Sequence, residues 1–121
     1  MKYFVEFMNL EEDDNDIIVS FAISDDKLGI KSLILSRTFL FENFLDEDER
    51  GVKVSLEGDE FENCMSNTLQ YIKITEKEIK VKSTYATYCV DIAKIEKADI
   101  VQLTKLLEKQ NFDHRFELVR A

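Results

Sequence analysis

The stretch from residue 46 to residue 57 has the spacing of acidic side chains that most resembles a metal site. It begins Asp46-Glu47-Asp48-Glu49-Arg50-Gly51 and has Glu57 at its twelfth position. An EF-hand calcium loop needs oxygen ligands at positions 1, 3 and 5, glycine at position 6 and glutamate at position 12. Position 5 is Arg50, a cation where a ligand is required, and the residues after Gly51 alternate like a strand. We therefore interpret the segment as an acidic turn leading into a strand and predict no metal site.

Residues suited to catalysis are scarce. Nucleophilic catalysis needs a nucleophile beside a base, and nothing in the sequence links the only histidine, His114, to Cys64 or Cys89. Paired carboxylates suit glycoside hydrolysis, but the acids here lie in predicted loops and the chain has no tryptophan. No glycine-rich phosphate loop, HExxH or GxSxG motif occurs. We predict a protein that is not an enzyme and has no cofactor.

The cysteines and the N-terminal residues bear on the cellular compartment. Two cysteines are too few for a disulfide framework, and their spacing fits no zinc pattern. Glu6 interrupts the apolar run that a signal peptide would need, and no stretch is long enough for a transmembrane helix. These features predict a cytoplasmic protein with reduced thiols and no membrane partner.

The charges are distributed unevenly along the chain. The 121 residues include 25 acidic and 16 basic side chains, and residues 1–66 have a net charge of −11 against +2 for residues 67–121. Fifteen of the acids fall in four clusters, which are residues 11–16, 25–26, 46–49 and 57–62. Alternate loops of a meander tend to emerge at one end of a sheet, so several clusters can share a surface that attracts a cationic partner. Simple solvation of loops is the alternative interpretation.

The same charge balance argues against nucleic-acid binding, which normally requires a basic patch. The nine phenylalanines would serve as stacking platforms only beside a positive groove. The half of the chain that holds Phe4 to Phe61 has the opposite sign. We interpret the phenylalanines as mainly core residues.

The hydrophobic pattern predicts an α+β fold in a single domain of residues 1–121. One helix is expected over residues 96–110, where leucine and isoleucine recur at spacings of three and four. Strands are expected at residues 2–8, 17–23, 30–35, 52–56, 69–74, 79–82 and 85–92. The acids of residues 11–16 should break the first strand, residues 39–45 fit a short helix or an irregular strand, and residues 112–119 a terminal strand or a packing tail. Strands in hairpin order followed by a helix predict an antiparallel sheet of five to seven strands with the helix packed on one face.

Several motifs follow one another in the middle of the chain. They are Leu33-Ile34-Leu35-Ser36-Arg37 and Phe41-Glu42, then the acidic turn before Gly51, and then Val52-Lys53-Val54-Ser55-Leu56. This series resembles a family of bacterial immunity proteins from polymorphic and contact-dependent toxin systems. Residues 69–81 match the family's hairpin, Cys89–Ile92 its last strand and residues 96–110 its closing helix. Ser36 stands where the family tends to have glutamine, and Ser66-Asn67-Thr68 replaces its glycine pair.

The resemblance implies a small cytoplasmic protein that neutralises one cognate toxin by binding it. Many such toxins are nucleases with basic clefts, so we expect the acidic loops to occlude a basic surface. Tight recognition also needs buried anchors, often aromatic or arginine. The candidate contact residues are Phe44, Asp46, Glu47, Asp48, Glu49, Arg50, Glu57, Asp59, Glu60, Phe61 and Glu62. The alternatives are an adaptor or structural domain, with a homodimer formed through an exposed sheet edge, and a small ligand-binding protein or enzyme.

Overall fold

The computed structural model describes residues 3–25 and 29–121. This part of the chain forms eight strands, two short 3-10 turns and one α-helix. The 3-10 turns are Glu42–Phe44 and Glu47–Glu49. The strands and helix are β1 (Tyr3–Glu12), β2 (Asp16–Asp25), β3 (Gly29–Thr38), β4 (Lys53–Leu56), β5 (Leu69–Ile74), β6 (Glu78–Ser83), β7 (Thr87–Asp91), α1 (Lys97–Gln110) and β8 (Glu117–Arg120). No helix in these residues is long and apolar enough to span a membrane.

The α+β class and the mostly antiparallel pairing agree with the prediction, but the strand count and the purely antiparallel sheet do not. The described strands form one mixed sheet in the order β4-β3-β2-β1-β7-β6-β5-β8. β1 lies parallel to β7, and β5 lies parallel to β8. The prediction assumed that each strand pairs with its neighbour in the sequence. The two parallel pairs join strands that are distant in the sequence, so that assumption could not predict them. The eighth strand, β8, falls at the end of the segment for which a terminal strand and a packing tail were both open. The sequence pattern could not decide between them because β8 has only four residues and none of them is buried.

The first strand is longer than predicted. β1 continues through Glu11 and Glu12, which pair with Ile18 and Ile17 of β2. Both carboxylates remain exposed, so the strand does not require them to be buried. The turn itself is closed by Asp13, whose Oδ1 accepts the backbone N–H groups of Asn15 and Asp16, both at 2.8 Å.

The sheet curls because β4 is hydrogen-bonded on both sides. One edge of β4 pairs with β3, and the other meets the residues that lead into β5. The Val54 N–H donates to the Asn67 carbonyl at 2.9 Å, and the Leu69 N–H donates to the Val52 carbonyl at 2.7 Å. The inner face of the curled sheet is thereby folded around a shared core.

The core lies between the inner face of the sheet and α1. Alternation along the strands points one face inward, and Phe21 and Leu33 there are completely buried. On α1, spacings of three and four place Ile100, Leu103 and Leu107 in the same cluster. The end of α1 is held to the sheet by Gln110, whose Nε2 donates to the carbonyl of Ile17 at 3.0 Å and to that of Leu35 at 3.4 Å.

Candidate protein-binding surface

Three segments that are distant in sequence meet at one end of the sheet. The Phe39 N–H donates to the Asn15 carbonyl at 2.7 Å, which joins the β3–β4 connection to the β1–β2 turn. Arg37 Nη1 donates to the Gln110 carbonyl at 2.7 Å, which adds the C-terminal end of α1. We call residues 11–16, 37–50 and 109–116 the acidic end. It contains eleven carboxylates and four cationic side chains, so it has a strongly negative field.

A buried arginine organises the acidic end. The side chain of Arg37 has no exposed surface, yet all five of its N–H donors have partners. Two N–H groups bond Asp113 in a fork, both at 2.8 Å. Two more bond Glu42 at 2.9 and 2.6 Å, and the fifth bonds the Gln110 carbonyl. Arg37 therefore joins the start of the β3–β4 connection to the segment that follows α1. We call Arg37, Glu42 and Asp113 the Arg37 clasp.

Hydrogen bonding shifts the pKa values of Arg37 and Asp113 in opposite directions. Burial by itself would lower the pKa of Arg37, but the hydrogen bonds to Asp113 and Glu42 outweigh it and raise that pKa above its usual value. The Arg37 guanidinium, helped by Arg115, holds the pKa of Asp113 well below its usual range. The ion pair between Arg37 and Asp113 is therefore charged at neutral pH.

Exposed apolar side chains surround the clasp. The ring of Phe112 lies 4.4 Å from the Arg37 guanidinium carbon and 5.8 Å from the ring of Phe39, so both rings are positioned by the clasp. Phe41 and Phe44 project from the connection with their rings 6.4 Å apart. Phe44 is 84% exposed, which is a large unburied apolar surface for one residue. The exposed members of this apolar patch are Leu40, Phe41, Phe44 and Phe112.

The acidic turn next to this patch is held in place by Arg50 and Arg115. Arg50 Nε donates to the Leu45 carbonyl at 3.1 Å, and Arg50 Nη2 donates to the Asn43 carbonyl at 3.2 Å. Glu47 bridges Arg50 at 3.4 Å and Arg115 at 3.1 Å. The predicted anchor Arg50 thus supports the loop from within.

The other carboxylates of this turn are available to a partner to different degrees. Glu49 accepts the Asp46 backbone N–H at 3.3 Å. Within the described residues, the carboxylates of Asp46 and Asp48 are exposed and have no ion-pair partner. Asp46 also caps the second 3-10 turn with its side chain. Both carboxylates follow Phe44 closely in the chain and so place negative charge beside the apolar patch.

The predicted loop of residues 57–62 lies at the other end of β4, about 13 Å away by the rise of a four-residue strand. Several of its carboxylates accept hydrogen bonds that hold the loop in place. Glu57 accepts the Ser32 N–H at 3.1 Å, Glu62 accepts the Gly58 N–H at 3.2 Å, and Asp59 accepts the Tyr88 O–H at 3.3 Å. Glu60 is exposed.

The remaining predicted anchor, Phe61, is only partly exposed and stacks on Tyr85 with ring centroids 5.3 Å apart. The structure therefore joins the β3–β4 connection to the β1–β2 turn through Phe39 and Asn15, whereas residues 57–62 follow the opposite end of β4. The acidic cluster at 25–26 lies partly outside the described residues.

Sequence analysis missed three residues that matter at this surface, which are Arg37, Phe112 and Asp113. One signal could have revealed Arg37. It follows Leu33 and Leu35 at period two and so occupies a core-facing position, where an unpaired charge would be very costly. Asp113 follows α1, so nothing in the sequence near Arg37 indicates that it is a partner.

The described residues include no group of three or more His, Cys, Asp or Glu side chains that could hold a metal ion. His114 is exposed in a turn with φ of 56°, and Cys89 is exposed on β7. Comparison of the chain with protein-family models, with curated proteins and with solved structures gives no match. The geometry of the acidic end is therefore the basis for assigning a function.

Proposed function

We propose that this protein is a cytoplasmic immunity protein that binds and neutralises a basic, nuclease-type toxin through its acidic end, without catalysis. The observation that supports this most is an exposed aromatic patch, beside the unpaired carboxylates of Asp46 and Asp48, on a connection locked by buried Arg37. The resemblance to toxin-immunity proteins in residues 16–110 is a second, independent support.

The physical basis is the combination of rigid anchors and unpaired charge. Aromatic side chains in the centre of an interface commonly dominate its binding energy. Anchors that are ordered before binding lose less conformational entropy on association. The Arg37 clasp and the Arg50 hydrogen bonds supply this order. The surrounding carboxylates would steer a cationic cleft towards the patch and speed the encounter.

The decisive experiment is co-expression with the product of the open reading frame immediately upstream. We expect that product to kill the cell when expressed alone, and to be harmless and co-purify as one complex when this protein is present. No complex together with no toxicity would favour the adaptor hypothesis instead.

A pair of matched variants tests the site within that experiment. Phe44→Ala should weaken the complex on the order of 30-fold, the effect of losing a hot-spot side chain worth about 2 kcal/mol. Phe7→Ala removes a phenyl ring of the same size from β1, outside the acidic end, where Phe7 is 59% exposed, and should change affinity less than about twofold. Equal effects of both variants would place the contact elsewhere.

A further inference from the structure

The end of α1 opposite the acidic end borders an apolar groove with a cationic rim. The groove has a volume of about 520 Å³ and is lined by segments from β5–β6, β7–α1, α1 and β8. Its apolar floor consists of Ile92, Ile95, Ile100 and Val101, and its cations are Lys77, Lys97 and Arg120. We call these seven residues the cationic groove.

The groove is open to a partner. Val101 is 46% exposed despite lying on its floor. Within the residues that the structure describes, neither Lys77 nor Lys97 has an ion pair, and Arg120 bonds only the neutral hydroxyl of Thr104, at 3.0 Å. Among the described residues, the rim of the groove therefore presents three cations that no carboxylate neutralises. Among the described residues that line the groove, the acidic side chain is that of Glu76.

The acidic end has the complementary chemistry. It presents exposed phenylalanine rings bordered by unpaired carboxylates, whereas the groove presents an apolar floor bordered by unpaired cations. The 14 residues of α1 separate the two surfaces by about 21 Å. They therefore cannot meet within one molecule, but they can meet between two.

We propose that the occupant of the cationic groove is the acidic end of a second copy of this chain. Phe41 and Phe44 of one copy would cover the apolar floor of the next, with Asp46 and Asp48 facing Lys97 and Arg120. Such a contact joins two different surfaces, so it is head-to-tail and builds open chains or closed rings. A net charge of −9 disfavours pairing of two acidic ends, while head-to-tail contact opposes unlike charges.

The contact has a regulatory consequence that rests on the proposed function. If the acidic end binds a toxin, the same phenylalanines cannot simultaneously occupy a neighbour's groove. Toxin would then dissociate the assembly, and the assembly would compete with toxin for the free acidic end. The self-association itself requires no toxin.

Sedimentation equilibrium of the purified full chain at low ionic strength tests the proposal. The weight-average mass should rise from the 14.2 kDa of the single chain by at least about twofold with concentration, and fall again at high salt. Phe44→Ala and Lys97→Glu should each remain monomeric, because each blocks one of the two surfaces. Lys105→Glu, a charge reversal at an exposed position of α1, should assemble like the wild type. Glutamate in the first turn of a helix is favourable, so Lys97→Glu should fold.

Mixing the two blocked variants gives the sharpest result. Phe44→Ala keeps an intact groove and Lys97→Glu keeps an intact acidic end, so the mixture should form a pair of about twice the monomer mass and nothing larger. A monomeric wild type, a mixture that stays monomeric, or assembly unaffected by either variant would overturn the proposal. So would a monomeric wild type whose groove binds an anionic amphiphile such as decanoate.

Toxin protection, scored separately, distinguishes the two proposals. Lys97→Glu should protect cells fully while failing to assemble, and Phe44→Ala should fail at both. Loss of assembly in both variants with protection intact would contradict the proposed function and leave the head-to-tail contact standing. A monomeric wild type that needs Phe44 for protection would support the proposed function and overturn the head-to-tail contact.

Discussion

Arg37 lies where an aliphatic residue is expected, in line with Leu33 and Leu35 on the inner face of β3. A buried guanidinium is tolerated only when its charge is paired and its donors are used. Arg37 meets both conditions through Glu42, Asp113 and a carbonyl. Removing it would leave two carboxylates close together with no cation between them.

We expect Arg37→Met to lower the free energy of unfolding by about 3 kcal/mol, the lower part of the range for breaking a buried ion pair. Urea denaturation measures this value. Lys109→Met is the matched control, because the Lys109–Glu12 pair at 2.8 Å is exposed and should be worth less than about 1 kcal/mol. Equal effects of the two variants would show that Arg37 does not clasp the acidic end.

Tyr88 provides a second measurement on a single residue. Burial raises the pKa of Tyr88 to about 12, and the nearby carboxylate of Asp59 adds to the shift. A tyrosine in the unfolded chain ionises near pH 10, so the folded state holds the phenolic proton more tightly. The resulting stabilisation is complete below pH ~10 and is lost as the pH rises through about 12.

We therefore expect the ultraviolet absorbance titration of tyrosinate to include a late step near pH 12. Tyr88→Phe should remove that step. Persistence of the late step in Tyr88→Phe would assign it to another group.

At the scale of elements, Gly51 links the acidic turn to β4 under two constraints. Its φ is +106°, which L-residues rarely adopt, and an added Cβ would lie 3.2 Å from Arg115 Cδ. The close approach lets Arg115 reach Glu47 at 3.1 Å. The glycine therefore serves both the turn and the contact between two segments of the acidic end.

We expect Gly51→Ala to destabilise the fold by about 2 kcal/mol, of which about 1 is the backbone conformation and the rest displacement of Arg115. Gly29→Ala is the control, because Gly29 also has positive φ, +73°, but no atom of the described residues lies within 4 Å of an added Cβ. Gly29→Ala should lower the free energy of unfolding only by the backbone contribution of about 1 kcal/mol. Thermal or urea unfolding of both variants measures the difference, and a Gly29→Ala effect as large as that of Gly51→Ala would rule out the contribution of Arg115.

At the scale of the whole molecule, charge is separated in space as well as in sequence. The β1–β2 turn and the β3–β4 connection bring two acidic clusters to one end, because successive antiparallel strands reverse direction. The cationic groove lies at the far end of α1. An approaching basic protein would therefore be oriented towards the acidic end before contact.

This arrangement predicts that the double variant Asp46→Asn, Asp48→Asn slows association with the toxin by about threefold to tenfold and changes dissociation little. Stopped-flow kinetics at low and physiological salt would measure both rates. Glu57→Gln with Glu60→Gln removes the same charge at the other end of β4 and should have a smaller effect. An association rate that is insensitive to salt would contradict electrostatic steering, which is screened over about 8 Å at physiological ionic strength.

Much of the secondary structure could be predicted from the sequence. Alternation at Val52–Leu56 and in the hairpin of residues 69–82 predicted strands that the structure contains, and the leucine spacing of residues 96–110 predicted α1. The segment 39–45, open to two interpretations, contains a 3-10 turn. These features depend on neighbouring residues, so local patterns reveal them.

The candidate site depended on contacts that no local pattern encodes. Composition and periodicity were enough to predict an acidic α+β protein whose charges are clustered in loops, because both are properties of the chain. It takes the folded chain to show that the β3–β4 connection meets the β1–β2 turn through Phe39 and Asn15. The tertiary structure also decided that Arg37 finds Asp113 from beyond α1. The reason is physical: strand pairing and charge burial are settled by which distant segments pack together, and that choice is made by the whole fold.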